Sequence, residues 1–203
     1  MSTILHTNPM NPQKRHIQRV VEALTEGKLV SYPTDTTYGI GCDLLNKRAI
    51  EKIYALKKRD RRKPVSILCS DLKELSRYGV ISNSAYRILR RLLPGPYTFI
   101  LPATPLVPKV MLTPQKMVGA RIPDCLIVRD MVEGLGRPLI STSATVEDGT
   151  ILNDPEDIEK RVRGRIDIVI AEACPGEPSS IIDLTGEEPV LIRRGLGDLS
   201  WLE

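Results

Sequence analysis

Six cations crowd into seven positions of this chain: Lys57, Lys58, Arg59, Arg61, Arg62 and Lys63, interrupted only by Asp60. The whole protein carries 29 Lys+Arg against 25 Asp+Glu, a net charge of +4. The cluster alone therefore accounts for the excess, and the remainder of the chain is close to neutral. A local focus of this kind favours a specific polyanion site over a diffusely adhesive surface. A triphosphate needs several charge-assisted donors, and arginine can fork two of them onto one phosphate. A plainer reading of the same residues is a solvated helix end whose cations complement the C-terminal dipole.

Two hydroxyl clusters could complete such a site. Thr34, Asp35, Thr36 and Thr37 follow a predicted strand end, where α/β sheets tend to bind ligands. Ser141-Thr142-Ser143-Ala144-Thr145 follows another. Either cluster could instead satisfy turn backbone. Arg121 lies within an apolar strand, Val118 to Ile122. A buried arginine requires a partner, which could be a substrate carboxylate or a structural Asp or Glu.

Other chemistries find little support. There is no G-x-x-x-x-G-K-[ST] loop, and Gly39-Ile40-Gly41 lacks the third glycine of a dinucleotide fingerprint, so side chains must hold any phosphates. The only histidines, His6 and His16, lie near the start, which disfavours zinc sites and histidine-based nucleophilic catalysis; no metal ligand set is assigned. Cys42, Cys69, Cys125 and Cys174 are scattered and read as reduced core residues. One Trp, one Phe and six Tyr are too few for a stacking platform, although duplex RNA could still bind through its phosphates. No apolar run approaches a membrane span, and no signal-peptide pattern opens the chain, so a cytoplasmic address is expected.

The elements that must position these residues are interleaved throughout the 203 residues, a length for one large domain or two small ones, and no composition break marks a linker. Asn11-Pro12 reads as a helix cap with proline at the first helical position, and Gly27 as its stop. Strands are predicted at Leu29–Pro33, Gly39–Leu44, Pro64–Leu68, Tyr97–Leu101, Val118–Ile122, Pro138–Ser141, Asp167–Ala171, Ser180–Leu184 and Val190–Arg193. Helices are predicted around Ala49–Leu56, after Asp71, over Ala85–Leu92, around Leu126–Leu135 and after Asp154-Pro155. The fold class is α/β, a sheet at least partly mixed in direction with helices against it.

Taken in order, YPTDTTYGIGCD, IYALKKR, GARIP, STSAT, SSIIDLT and VLIRRG resemble the YrdC-type threonylcarbamoyl-AMP synthase family over about residues 12 to 197. The segments HTNPMNPQKR, SILCSDLKELSRY and PGPYTFIL are similar to its YciO branch. The resemblance implies a single domain with a twisted mixed sheet and a concave basic face. It implies an enzyme, a nucleotidyltransferase joining L-threonine, bicarbonate and ATP, with Mg²⁺, into threonylcarbamoyl-adenylate and pyrophosphate. That product serves N6-threonylcarbamoyladenosine formation in tRNA through separate modification proteins.

Carried over by position, the resemblance assigns ATP phosphates to Lys57 and Arg59, the catalytic pair, with Lys63 as a further nucleotide contact. Ser143 and Arg193 match ATP contacts, and Thr145 stands in the same ATP-binding segment. Thr36, Arg121, Ser141 and Ser180 fall on the threonine side. Two departures bear on specificity. Thr145 replaces the family's asparagine and loses an amide function, and Leu68 stands where many synthases carry a histidine. Two other readings stay open: an RNA-binding module without catalysis, engaging double-stranded RNA or tRNA, and an ATP-using relative acting on another amine or carbamoyl compound.

Overall fold

Strand alternation organises this molecule. In Met117–Arg121 (β6), Val118 and Ala120 point into an apolar core while Gly119 and Arg121 face the other side of the sheet. The computed structural model describes residues 2–56, 65–112, 114–146, 149–162 and 164–202. Its remaining strands are Thr3–His6 (β1), Val30–Tyr32 (β2), Gly39–Asp43 (β3), Ser66–Leu68 (β4), Tyr97–Pro102 (β5), Leu139–Ser143 (β7), Ile168–Ala171 (β8), Ser180–Asp183 (β9) and Val190–Arg193 (β10). Among the described residues they form a ten-stranded sheet in the order β1-β8-β2-β3-β7-β4-β6-β5-β9-β10. Pairing is parallel for β1/β8, β2/β8, β4/β6 and β5/β9, and antiparallel elsewhere.

Helices cover the two faces unequally. One face carries Ile67, Phe99, Ala120, Ile140 and Ile182, packed with residues of Lys47–Leu56 (α2), Leu72–Tyr78 (α3) and Asn83–Leu92 (α4). The opposite face carries Val30, Tyr32, Leu68, Leu139 and Ile170 under Lys14–Thr25 (α1) and Leu126–Leu135 (α5). Further along that second face, toward β10, the side chains turn hydroxylic. Pro155–Arg161 (α6) begins at Asp154, whose side chain accepts from the N–H groups of Glu156 and Asp157 at 2.9 Å. No helix among the described residues is long and apolar enough to cross a membrane.

The expected α/β class and mixed sheet are present. Asp71 caps α3 as anticipated, accepting from the Glu74 N–H. Gly27 ends the α1 region at φ +77°, a conformation that costs a side-chain-bearing residue more. The expected start at Asn11-Pro12 is corrected: α1 begins at Lys14 after an extended Gln13. The side chain of Asn8 accepts from the N–H groups of Met10 and Asn11 instead, holding this stretch in a turn. Strand β1 was not anticipated. Its four residues carry little pattern of their own and become a strand by pairing with β8. All four cysteines are free; Cys42 and Cys69 are buried, and Cys125 and Cys174 half-buried.

Candidate functional site

A cavity of about 120 Å³ opens on the hydroxylic face. Register assembles it from six strands and one flanking residue, Ser179. Ser141 on β7 stands beside Ser66 on β4, which stands beside Gly119 on β6. Thr98 on β5 stands beside Ile181 on β9, which stands beside Arg193 on β10. Leu68, Arg121, Thr142, Ser143 and Ser179 complete the lining. Gly119 matters by what it lacks: a Cβ there would come within 2.9 Å of Ser66 Oγ, on the cavity side of the sheet. A row of small and hydroxylated residues on neighbouring strands thus leaves a hollow on an otherwise continuous sheet.

Two arginines, Arg121 and Arg193, line the hollow. Their strands, β6 and β10, are three inter-strand steps apart, or about 14 Å. Arg193 donates through Nε and Nη2 to the backbone carbonyl of Ser179, at 3.2 and 2.8 Å, and through Nη2 to Ser179 Oγ at 3.3 Å. Ser179 Oγ also bonds Thr98 Oγ1 at 2.8 Å. Arg121 donates through Nη2 to Asp35 at 2.7 Å and to Thr36 Oγ1 at 3.0 Å. Its Nε is buried without a hydrogen-bond partner among the described residues. Burial pushes the Asp35 carboxyl above its ordinary range and draws the Arg121 guanidinium below its own, so desolvation outweighs their mutual attraction. A charge pair that costs the fold in this way, beside a cavity, marks a candidate site.

The structure sorts the expected residues. Arg121, Ser141, Ser143 and Arg193 line the same cavity. Thr36 is wholly buried and is not a lining residue; its hydroxyl accepts from the lining residue Arg121 and also bonds Thr34. Ser180 is also wholly buried; it donates to the Gly197 carbonyl and accepts from the Gly195 N–H. The cavity takes its neighbours Ser179 and Ile181. Thr145 forms a bridge with Ile151 and is not among the lining residues. Lys57, Arg59 and Lys63 lie outside the described residues. Ser66 and Thr98 were not singled out because lone hydroxyl residues in apolar strands carry no signal of their own, and Ser179, just outside β9, because the SSIIDLT match placed the contact on its neighbour Ser180. Alternation against Ile67, Phe99 and Ile182 was the available signal.

The lining offers hydroxyls and guanidiniums to anionic oxygens. Its neighbouring carboxylate, Asp35, is committed to Arg121 and to the Asp124 N–H. Among the described residues no cluster of three His, Cys, Asp or Glu could hold a metal ion. This donor set suits a carboxylate or polyphosphate better than a bare divalent cation.

The Sua5/YciO/YrdC family model, described as telomere recombination, matches residues 22–195, and the chain belongs to that family. It is similar to the crystal structure of Escherichia coli YciO, with a TM-score of 0.94 and 36% identity over 98% of each chain. It is 31% identical over 186 residues to the threonylcarbamoyl-AMP synthase of Vibrio vulnificus, covering 89% of this chain and 98% of that one. The crystal structure of P. abyssi Sua5 complexed with L-threonine matches with a TM-score of 0.87 and 28% identity, over 96% of this chain and 57% of that one.

Proposed function

We propose that this member of the Sua5/YciO/YrdC family is a threonylcarbamoyl-AMP synthase-like enzyme. It joins L-threonine, bicarbonate and ATP into threonylcarbamoyl-adenylate with release of pyrophosphate. One observation carries the reading: Arg121, held by Asp35 and Thr36, lines a cavity rich in hydroxyl groups. A guanidinium fixed in such a wall suits a substrate carboxylate. The L-threonine complex of the similar P. abyssi Sua5 supports an amino acid as that substrate.

In this scheme the amine condenses with bicarbonate to a carbamate, releasing water. A carbamate oxygen then attacks the α-phosphorus of ATP, and pyrophosphate leaves. An anion approaching a polyphosphate meets repulsion, which guanidinium and ammonium groups offset without proton transfer. Arg193, with Lys57, Arg59 and Lys63 from the basic cluster, supplies that charge, while Ser143 orients phosphate oxygens. Mg²⁺ would enter on the phosphates of ATP, adding positive charge there, since the described lining supplies no carboxylate cage for it.

The test is direct. The protein is incubated with ATP, Mg²⁺, bicarbonate and each amino acid in turn, with mass spectrometry for a carbamoyl-adenylate and a coupled assay for pyrophosphate. Threonine-dependent product is expected, and Arg59→Ala abolishes it while melting at the parent temperature. Wild-type rates in that variant would refute the scheme. One observation favours a second reading of the same site, an altered amine. Leu68 and Ile181 give the cavity an apolar wall where Leu68 offers no hydrogen bond to a substrate hydroxyl. Product from another amino acid and none from threonine would select it.

A further inference from the structure

Tyr32 reaches this site by an unusual path. It sits on β2, two strands away from β7, yet its phenolic oxygen lies 2.8 Å from Ser141 Oγ. The intervening strand, β3, allows the crossing because it carries Gly39 and Gly41 on that face. A Cβ on Gly39 would stand 2.7 Å from Tyr32 Cε2, and one on Gly41 would stand 2.5 Å from Tyr32 Oη. The two glycines form a slot for the ring. The register places them directly beside Ser143 and Ser141.

The direction of the Tyr32–Ser141 bond follows from what each oxygen has nearby. Tyr32 is wholly buried, and Ser141 Oγ is the one partner of its hydroxyl among the described residues. A phenol that accepted from Ser141 would leave its own hydrogen buried and unbonded, which costs more than an unused lone pair. The phenol also stays protonated, since burial pushes its pKa up. Tyr32 is therefore the donor and Ser141 the acceptor. Ser141 Oγ has no second protein partner among the described residues, and Ser141 lines the cavity. Its own hydrogen is left to point there.

We propose that Tyr32 is a positioning residue of this site: by donating to Ser141 Oγ across the Gly39–Gly41 slot, it fixes Ser141 as a hydroxyl donor toward an anionic oxygen of the bound amino acid. The choice of ligand rests on the function proposed above; the direction of the bond does not. Ser141 and Arg121 then address the same small anion from β7 and β6, two strand steps apart.

Tyr32→Phe, Ser141→Ala and the double variant test this, each titrated calorimetrically with L-threonine and separately with Mg-ATP. Tyr32→Phe keeps the ring in its slot, and its melting temperature reports whether the fold is intact. Threonine affinity is expected to fall about tenfold in either single variant, with ATP affinity within about twofold of the parent. The double variant is expected to be no worse than Ser141→Ala alone, because the phenol acts only through that hydroxyl. Parent-like threonine binding in Tyr32→Phe, or losses that simply add, overturns the proposal. A second readout needs no ligand. The tyrosine Raman doublet, taken as the difference between parent and Tyr32→Phe, reports whether the phenol donates or accepts. A donating phenol upholds the assignment and an accepting one overturns it. Should the parent bind no L-threonine, the proposed function falls, and the Raman signature decides Tyr32 by itself.

Discussion

Arg121 Nη2 stands 2.7 Å from Asp35 Oδ1, while the other oxygen of that carboxylate accepts the backbone N–H of Asp124 at 3.1 Å. Asp35 thereby ties the turn after β2 to the segment between β6 and α5. The arginine that borders the cavity is aimed by a carboxylate 86 residues away in sequence.

Removing that carboxylate leaves a buried guanidinium without its counter-charge. Asp35→Asn is expected to destabilise the protein by about 3 kcal/mol, lowering the melting temperature by roughly 10 °C for a chain of this size. Adding Arg121→Met to it is expected to recover much of the stability, because no lone charge then remains buried. Ligand binding is not expected to return. Calorimetric melting and L-threonine titration of the single and double variants separate the two effects.

Gly41 is expected to tolerate no side chain. A Cβ there meets the Ile140 backbone carbonyl at 2.7 Å as well as the Tyr32 hydroxyl, and the backbone of β7 cannot step aside. Gly41→Ala is expected to cost about 1–3 kcal/mol through overpacking. It also displaces Tyr32 from Ser141. Denaturant midpoints measure the first effect, and threonine affinity measures the second.

Adjacent serines on and beside β9 are expected to answer differently. Ser180 bonds Gly195 and Gly197 within the fold, so Ser180→Ala is expected to lose about 1–3 kcal/mol of stability. Its ligand affinities are expected to stay near the parent's. Ser179 lines the cavity and bonds Thr98 and Arg193, so Ser179→Ala is expected to weaken Mg-ATP binding in addition to costing stability through the buried Thr98 hydroxyl that loses its partner. Paired melting and titration experiments check both halves.

Alkaline pH is expected to loosen the segment that packs on the β2–β3 turn. Tyr38 donates to the Glu172 carbonyl at 2.6 Å and accepts from the Glu172 N–H at 2.9 Å. Burial pushes its pKa up to about 12, against about 10 for a free tyrosine. A raised native pKa means that the folded state holds the proton longer than the unfolded state. The stabilisation is therefore complete below about pH 10 and is lost as pH climbs toward 12. Tyr38→Phe is expected to be less stable at neutral pH and to show a flatter stability profile above pH 10. Chemical denaturation at stepped pH measures both.

Element identity was legible in the sequence because it depends on local patterns. Apolar spacing marked α2, α4 and α5, and cap residues marked α3 and α6. The ordered motifs around Thr34, Arg121, Ser141 and Arg193 were enough to indicate that distant segments serve one site. Strand β1 was not legible, because a four-residue strand exists only through its pairing with β8. Nor was the role of Gly39-Ile40-Gly41, which reads as a failed nucleotide fingerprint until Tyr32 is seen lying across it.

By itself, then, the sequence determined the α/β class, most elements and the chemical character of the site, since composition, periodicity and capping act over a few residues. Which hydroxyl faces the cavity was a tertiary decision. Ser179 and Ser180 are chemically identical, and the alternation of β9 within a particular register sends one into the hollow and the other into the fold. The same holds for Asp35, whose partner is set by the approach of β6 to the turn after β2, and for Tyr32, whose reach depends on two glycines lying in the strand between. Such contacts arise only when a packed sheet brings remote residues to within a hydrogen bond of each other.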